Sequence, residues 1–152
     1  MKFSTRTLYG LKAILVLAGR YGEGLLSVSA IAKKENISVH YLEQILNALK
    51  KKGLVKSVRG PQGGYTLAEK PSDISLEKLF YALETRHAPA KDPKLQVATD
   101  GDEASVANGL FWQKLSLSVE QGLSQITLKE LLDEARRMKK SKLRTSAATF
   151  HI

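Results

Sequence analysis

The chain of 152 residues contains no cysteine. It therefore forms no disulfide, offers no thiolate to a metal ion and cannot use a thiol in catalysis. It also lacks any run of the roughly 18 to 20 apolar residues that a membrane-spanning helix requires. The start of the chain, M-K-F-S-T-R-T, has neither the apolar segment nor the cleavage site of a signal peptide. We therefore expect a cytoplasmic protein that does not bind a membrane.

The residue arrangements that support catalysis are missing as well. The chain has no phosphate-binding glycine loop, no hydrolase triad order and no metal motif on a regular element. His87, Asp92, Asp100, Asp102 and Glu103 could approach a metal ion, but their irregular spacing favours an interpretation as solvated loop residues. The sequence predicts a protein that is not an enzyme and that carries no cofactor or metal.

Positive charge is abundant and unevenly placed. The net charge is +9, and residues 1–70 carry 12 Lys and Arg against four Glu, a net charge of +8. Residues 71–152 carry 12 against 11 acidic residues, a net charge of +1. A charge that serves only solubility has no reason to concentrate in one half, whereas a surface that binds phosphate groups does. The first half is therefore the candidate for binding nucleic acid.

The stretch from residue 38 to residue 65 carries the clearest pattern. Its first part has apolar residues at the i, i+3, i+4 and i+7 spacing of one helical face, namely Leu42, Ile45, Leu46 and Leu49. The opposite stripe consists of His40, Gln44, Asn47 and Lys51, with Glu43 and Lys50 on its flanks. Ser38 suits the N-cap of this helix, and Gly53 suits its end. The polar stripe suits DNA bases and phosphates, although a solvated amphipathic surface is the alternative interpretation.

A hairpin is predicted after this helix. The segments L-V-K-S-V-R and Y-T-L-A can form its strands, and the turn between them consists of Gly60, Pro61, Gln62, Gly63 and Gly64. Such a turn has few side chains to obstruct a phosphate backbone. A short helix, V-S-A-I-A-K-K-E, precedes the polar helix and is capped by Ser27. Two helices joined by a tight turn and followed by a hairpin predict a winged helix-turn-helix.

The remaining segments predict a mainly α protein with one small β-hairpin. The helix from Thr5 to Arg20 has two apolar surfaces, one with Leu8, Leu11, Leu15 and Ala18 and one with Ile14 and Leu17, which suggests a second packing partner beyond its own domain. A short helix at 76–84, capped by Ser75, turns its apolar side inward through Leu76, Leu79, Phe80 and Leu83.

A long helix is predicted from about Ser105 to Gln125. Its apolar residues step by three or four, as in a coiled-coil seam that joins two subunits or packs on its own domain: Trp112, Leu115, Val119, Leu123 and Ile126. The capping box T-L-K-E then begins a helix that we expect to end at Lys140. The predicted organisation is a DNA-binding domain at 1–83, an effector loop at 84–104, dimerisation and C-terminal helices at 105–140, and a frayed tail at 141–152.

Two stretches resemble a known family. The runs Y-L-E-Q-I-L and G-L-V-K-S-V-R-G-P-Q-G-G-Y-T-L resemble the Rrf-two family of winged-helix repressors, which includes the iron-sulfur cluster regulator and relatives that sense nitric oxide or cysteine supply. The resemblance extends from K-F-S-T-R-T-L-Y-G to Q-I-T-L-K-E-L, and S-V-R-G-P-x-G-G-Y is its most specific motif. It implies a homodimer on a palindromic operator in double-stranded DNA, with the recognition helix in the major groove and the wing along the minor groove.

The resemblance assigns DNA-reading positions to Tyr41, Glu43, Gln44, Arg59 and Gly60, and it leads us to expect a small residue where His40 stands. Side-chain chemistry agrees, since Gln and Asn pair with adenine, Glu accepts from cytosine and Arg enters narrow minor grooves. An ion pair with a nearby lysine is the alternative for Glu43. The full predicted DNA surface comprises Ser38, His40, Tyr41, Glu43, Gln44, Asn47, Lys50, Lys51, Lys56, Arg59, Gly60, Pro61, Gly63 and Gly64, with the three lysines on phosphates.

The chain departs from the cluster-binding members of that family. In those members the loop before the long helix carries three cysteines, the last of them six residues before the tryptophan. That position is Val106 here, and the place of a companion histidine is about Gly109. Without cysteine a conventional iron-sulfur cluster cannot be held. We therefore expect a small-molecule effector or a regulatory protein to act on the loop at 86–105 and on the Trp112 helix.

The sequence thus predicts a cytoplasmic, dimeric, bacterial-type transcriptional regulator that acts as a repressor. The alternative is a winged-helix protein-interaction module whose specificity comes from a partner protein. Salt dependence separates the two, because binding through 6 to 10 phosphates weakens by roughly 10³-fold or more over a few-fold rise in salt.

Overall fold

The structure is a computed structural model that describes residues 3–84, 97 and 99–149. In these residues the chain forms six helices and one two-stranded antiparallel sheet. The elements in chain order are α1 (Thr5–Gly19), α2 (Val28–Glu35), α3 (Val39–Lys51), β1 (Val55–Val58), β2 (Gly64–Leu67), α4 (Leu76–Leu83), α5 (Glu103–Gln125) and α6 (Leu128–Thr149). The mainly α fold with a small hairpin is therefore confirmed.

Side-chain caps determine where the helices begin. Ser27, Ser38 and Ser75 accept a hydrogen bond from a backbone N–H in the first turn of α2, α3 and α4, and Thr127 Oγ1 does the same for Glu130 N at 3.2 Å. Each such cap contributes about 1 kcal/mol. The sequence placed the start of α5 at Ser105, but Asp102 is its cap and accepts from Ser105 N at 2.8 Å. Hydrogen bonds from the hydroxyl group and the backbone N–H of Ser105 lower the pKa of the Asp102 carboxyl.

The core lies between α1, α3, the sheet and α4. Leu42, Ile45, Leu46 and Leu49 of α3 are fully buried, as their spacing predicts. On α1 the buried apolar residues are Ala13, Ile14, Val16, Leu17 and Ala18. Leu8, which the sequence grouped with Ala18, is 51% exposed, and Leu11 and Leu15 are half-buried.

The close approach of α1 and α4 explains which side of α1 is buried. A Cβ atom at Gly10 would lie 2.3 Å from Leu83 Cδ1, so this close packing of Leu83 on α1 depends on the absence of a side chain at Gly10. Leu79 and Leu83 of α4 are buried as predicted, whereas Leu76 and Phe80 are half-buried. The Leu8, Leu11 and Leu15 side of α1 is left as a second, partly exposed apolar surface.

Backbone hydrogen bonds attach the α5–α6 junction to the segment before α4. Leu76 N donates to Ile126 O at 2.8 Å, and Leu128 N donates to Ile74 O at 3.0 Å. Leu128 itself is fully buried in the core. α6 then continues to Thr149, so the predicted end at Lys140 was wrong. The described part of the chain contains no helix that is both long enough and apolar enough to cross a bilayer.

Candidate nucleic-acid interface

The outer face of α3 is open to solvent. Glu43, Gln44, Asn47, Lys50 and Lys51 are exposed, as is His40. The side-chain amide nitrogen of Gln44 lies 3.1 Å from His40 Nε2 and donates to that nitrogen when it is unprotonated. His40 therefore orients the Gln44 amide, which leaves its carbonyl oxygen and second N–H free of this contact. His40 lies one turn before Gln44 on the same helix face, so it can orient the amide that we predict to contact a base.

Two other predicted residues have different environments. The ring of Tyr41 is half-buried and packs edge-on against Tyr9 of α1, with 5.9 Å between ring centroids. Packing against α1 therefore determines the orientation of the Tyr41 ring. Glu43 forms no ion pair with a lysine among the residues that the structure describes, so none of these lysines neutralises its carboxylate.

Lys50 connects α3 with the hairpin. Its Nζ donates to Ser57 Oγ in β1 at 2.5 Å, and an ammonium group has two further donors that can reach a phosphate. Sequence reasoning missed Ser57, because the contact joins residues on separate elements. Lys56, on the same strand, is exposed. The hydrogen bond places the cationic end of α3 beside the strand that leads into the wing.

The hairpin forms a wing with an exposed tip. β1 pairs with β2 in a register that joins Val55 to Leu67 and Val58 to Gly64. Arg59, Gly60 and Pro61 are exposed at its tip, and Gly60 has a φ of 121°, which favours glycine. Leu26 forms an additional bridge with Tyr65, through hydrogen bonds of 2.9 and 2.7 Å. This pairing was not predicted, and it holds the wing against the segment before α2.

The glycines at the base of the tip have a structural role. A Cβ atom at Gly63 would lie 2.2 Å from Val58 O, and one at Gly64 would lie 2.4 Å from Leu26 O. Both clashes involve backbone atoms, so neither can be relieved by rotating a side chain. Glycine is required at these positions for the wing to close, whatever the wing binds.

Replacing Gly63 with alanine is expected to destabilise the protein by about 2 kcal/mol, because the turn must open to admit the Cβ atom. Urea unfolding followed by circular dichroism measures this change. Gly19→Ala is the matched control, since none of the described residues outside its immediate neighbours lies within 4 Å of a Cβ atom there. Alanine at that helical position is expected to be neutral or slightly stabilising. Equal stability of the two variants would contradict the proposed clash.

Two exposed valines extend this surface beyond the predicted residues. Val39 is 42% exposed and Val58 is 55% exposed. Val39 lies on the same flank of α3 as Glu43 and Lys50, and its methyl groups have the chemistry that contacts the methyl of thymine. The helical spacing of Val39 could have revealed its place, whereas the exposure of Val58 depends on the hairpin.

The N-terminal half of α5 carries a second exposed surface, which is apolar. Trp112 and Leu115 are 41% and 42% exposed, and Phe111 is 57% exposed. The rings of Phe111 and Trp112 contact each other edge-on, with centroids 5.2 Å apart. Further along the predicted seam, Val119, Leu123 and Ile126 are half-buried. An exposed apolar surface of this kind is typical of an interaction site.

A hydrogen bond joins the C-terminal half of α5 to α4. Tyr81 Oη donates to Glu120 Oε1 at 2.6 Å. This bond, together with partial burial and the Glu120 charge, raises the pKa of Tyr81 from 10 to about 12. The contact attaches α5 to α4.

The Tyr81→Phe variant is expected to be less stable by about 1 kcal/mol at neutral pH, since it loses a hydrogen bond to a carboxylate at a partly exposed site. Because the folded state has the higher pKa, the contribution is complete below pH 10 and is lost as the pH rises towards 12. Urea midpoints at pH 8 and pH 11 measure it, with Tyr21→Phe at an exposed tyrosine as the control. A stability difference between wild type and Tyr81→Phe that stayed constant over this range would contradict the assignment.

The predicted effector loop at 84–104 lies mostly outside the described residues, as do His87 and Asp92. Asp100, Asp102 and Glu103 are exposed, and the described part of the chain contains no group of three or more potential ligands that could hold a metal ion. Val106 is half-buried. A Cβ atom at Gly109 would lie 3.1 Å from Val97 Cα, so the end of the loop packs closely against α5.

Comparison with known proteins gives consistent matches over most of the chain. Residues 3–134 match the model of the family Rrf2, described as an iron-dependent transcriptional regulator. The HTH-type transcriptional regulator CymR of Bacillus subtilis is 37% identical over 131 residues, which cover 86% of this chain and 89% of CymR. The regulator IscR of Cereibacter sphaeroides is 34% identical over 135 residues, which cover 87% of each chain.

Solved structures agree with these matches. T. potens IscR has a TM-score of 0.72 with 38% identity, covering 89% of this chain and 88% of that protein. The structure of CymR, the global cysteine regulator of B. subtilis, has a TM-score of 0.73 with 35% identity, covering 88% of this chain and 98% of CymR.

Proposed function

We propose, because the chain belongs to the Rrf2 family of winged-helix transcriptional regulators, that it binds a palindromic operator as a homodimer and represses transcription. The family and the relatives are regulators of transcription and not enzymes, and the chain is a DNA-binding regulator of this kind. On this proposal the protein acts in the cytoplasm, where the operator is accessible.

The observation that carries the proposal is the combined surface of α3 and the wing. Gln44 is exposed and held by His40, and Arg59 is exposed at the tip of the wing. In the proposed complex α3 enters the major groove, where an amide can pair with adenine, and Arg59 enters the adjacent minor groove. A hydrogen bond from Lys50 to Ser57 joins these two parts.

The remaining predicted residues have supporting roles in the proposed complex. Ser38 caps the helix and accepts from Tyr41 N at 3.2 Å, which leaves the first turn ordered at the groove. Asn47 and Glu43 are placed to contact base edges. The phosphate contacts come from the lysines, which position the domain without reading sequence: Lys50, Lys51 and Lys56.

Dimerisation is proposed through α5. Trp112 and Leu115 provide exposed apolar surface, and Val119, Leu123 and Ile126 continue the same seam towards the domain. The partly exposed side of α1, which includes Leu8, provides the second surface that a partner helix can cover. A two-fold axis between two such helices would match the symmetry of a palindromic site.

The signal is proposed to be a small molecule or a regulatory protein. The chain has no cysteine to bind a conventional iron-sulfur cluster, so the chemistry of the cluster-binding regulators is not available to it. The proposed receiving site is the loop at 84–104 with the N-terminal half of α5. Rewriting that loop should therefore abolish the response to the signal while leaving operator binding in its absence intact.

The proposal is tested by selecting genomic DNA fragments with the purified protein at near-physiological salt and titrating the recovered sites. A shared palindrome bound at nanomolar concentration is expected, since specific sites of this class have affinities of about 10⁻⁸ to 10⁻¹¹ M. Transcription from a promoter that contains the palindrome should fall when the protein is added. Binding without sequence preference would overturn the proposed specificity.

A further inference from the structure

The second half of α6 is strongly basic. The Rrf2 match ends at residue 134, but the helix continues to Thr149. Residues 71–134 carry six Lys and Arg against 11 acidic residues, a net charge of −5, whereas residues 135–152 carry six Lys and Arg and no acidic residue. The net charge of +1 for residues 71–152 is therefore the sum of an acidic segment and a cationic helix. Positive charge is not confined to the first half of the chain.

Three of these cations share one face of the helix. Arg137, Lys140 and Arg144 follow an i, i+3, i+7 pattern, which places them within about 60° of one another at roughly 100° per residue. All three are exposed, and none forms an ion pair with a carboxylate of the described residues. We call this face the α6 stripe. Like charges at this spacing destabilise a helix, so an anionic partner would relieve their repulsion.

The preceding turn of α6 is different. The Asp133 carboxylate binds Lys129 and also Arg136, the latter at 3.2 Å, and these cations hold the pKa of Asp133 below its usual range. The first turns of α6 are thus internally neutralised, and the unpaired charge begins at Arg137. The stripe is a separate surface and not a continuation of these ion pairs.

The apolar residues of the same segment argue against a membrane or a coiled coil as the partner. Met138 is 61% exposed and Leu143 is 71% exposed. They lie about 140° apart around the helix at roughly 100° per residue, so they do not form one apolar face. A membrane-surface helix and a coiled-coil helix each require such a face. The charge pattern instead suits a polyanion that is bound by its charge.

Cationic residues of the DNA-binding domain lie beside the start of α6. Lys12 and Lys34 line an open cleft of about 360 Å³ together with Glu35 and Leu132, and Arg20 in the same cleft is paired with Glu23. Cations of α1 and α2 therefore lie beside the first turns of α6, with one carboxylate among them. The stripe itself extends roughly 10 Å along the helix, a length over which one strand of DNA carries about three phosphates. Three cations along this length match the phosphate spacing of one strand of a duplex.

We propose that the α6 stripe is a second DNA-binding surface, which contacts phosphates of a duplex without reading its sequence. The choice of DNA among polyanions rests on the proposed function, because a protein that binds an operator is already held close to DNA. The stripe would add affinity for DNA of any sequence and would leave the preference for the operator to α3 and the wing.

The test compares two double variants of the full chain with equal loss of charge. Lys140→Gln with Arg144→Gln removes two cations of the stripe, and Lys139→Gln with Lys142→Gln removes two that lie outside it. Fluorescence anisotropy on a duplex of unrelated sequence, repeated over a range of salt concentrations, gives the affinity and its salt slope. The stripe variant is expected to bind about 10-fold more weakly at low salt, with a slope smaller by about 2, since each lost phosphate contact removes about 0.9. The control variant should retain most of the affinity and most of the salt slope.

Two outcomes would overturn the proposal. Equal losses in the two variants would mean that only net charge matters, and no loss in the stripe variant would mean that the stripe does not bind DNA. In the second case, weaker binding of the same variant to phosphatidylserine vesicles or to an acidic protein would assign the stripe to that partner. Circular dichroism of both variants verifies that α6 remains helical.

The same measurements on the selected operator separate this proposal from the proposed function. The stripe variant is expected to keep the ratio of operator affinity to unrelated-DNA affinity unchanged. If the selection yields no operator, the comparison on unrelated duplexes still decides whether the stripe binds DNA.

Discussion

Replacing Gln44 and Arg59 together with alanine is expected to lower operator affinity by about 10³-fold. A good base contact contributes about 1–3 kcal/mol of discrimination, and the loss of two such contacts corresponds to about 4 kcal/mol, or three powers of ten. The contribution of Gln44 depends on its orientation by His40 at 3.1 Å. Both side chains are exposed and lie on separate elements, so their removal leaves the core intact.

Fluorescence anisotropy on the operator and on an unrelated duplex of the same length measures this effect. Affinity for the unrelated duplex should fall far less, because the lysines that are proposed to contact phosphates remain. Gln121→Ala with Arg20→Ala is the matched control, since it removes the same two residue types from exposed positions of α5 and the end of α1. Unchanged operator affinity, or an equal loss on both duplexes, would show that the base-reading surface lies elsewhere.

Replacing Leu115 with glutamate is expected to convert the proposed dimer to a monomer and to lower affinity for the proposed palindrome by about 10²- to 10⁴-fold. A carboxylate in a closed apolar seam is costly to bury, and two half-sites bound independently lose the gain that comes from linking them. Leu115 is 42% exposed in the single chain, so the substitution should leave the fold of the subunit unchanged. Analytical ultracentrifugation measures the first effect, and titration of the operator measures the second.

Leu117→Glu is the control for this experiment. Leu117 lies on the same helix and is 46% exposed, but it is about 140° from Trp112 at roughly 100° per residue and so lies outside the seam. The control should remain dimeric. If both variants became monomers, the contact would involve another face of α5, and if neither did, α5 would not be the dimer contact.

Local signals predicted much of the fold. The polar and apolar faces of α3 follow from the spacing of four aliphatic residues, and the caps of three helices follow from Ser27, Ser38 and Ser75. The buried side of α1 could not be deduced in this way, because it depends on the approach of Leu83 to Gly10 across the core. The length of α6 was underestimated because its small and basic residues were interpreted as fraying. Alanine favours helix, and lysine and arginine are also good helix formers.

The candidate site shows the same division. Helical spacing placed Gln44 on the polar stripe, the family resemblance pointed to Arg59, and the structure leaves both exposed. The contact between Lys50 and Ser57 and the bridge between Leu26 and Tyr65 were not predicted, because each joins segments that only the fold brings together. These tertiary contacts determine how the wing is oriented relative to α3.

The attachment of the α5–α6 junction has a geometric consequence for the proposed dimer. Hydrogen bonds at both Ile126 and Leu128, together with the buried Leu128 side chain, attach α5 to the DNA-binding domain of its own subunit. The domain and α5 should therefore rotate together as one rigid body. α5 is roughly 35 Å long, so a change of about 10° in the crossing angle of the two helices displaces its far end by about 6 Å. Half-sites on DNA repeat at about 34 Å. A small tilt at the dimer seam would thus carry the two domains out of phase with the operator, without any change in the residues that contact it.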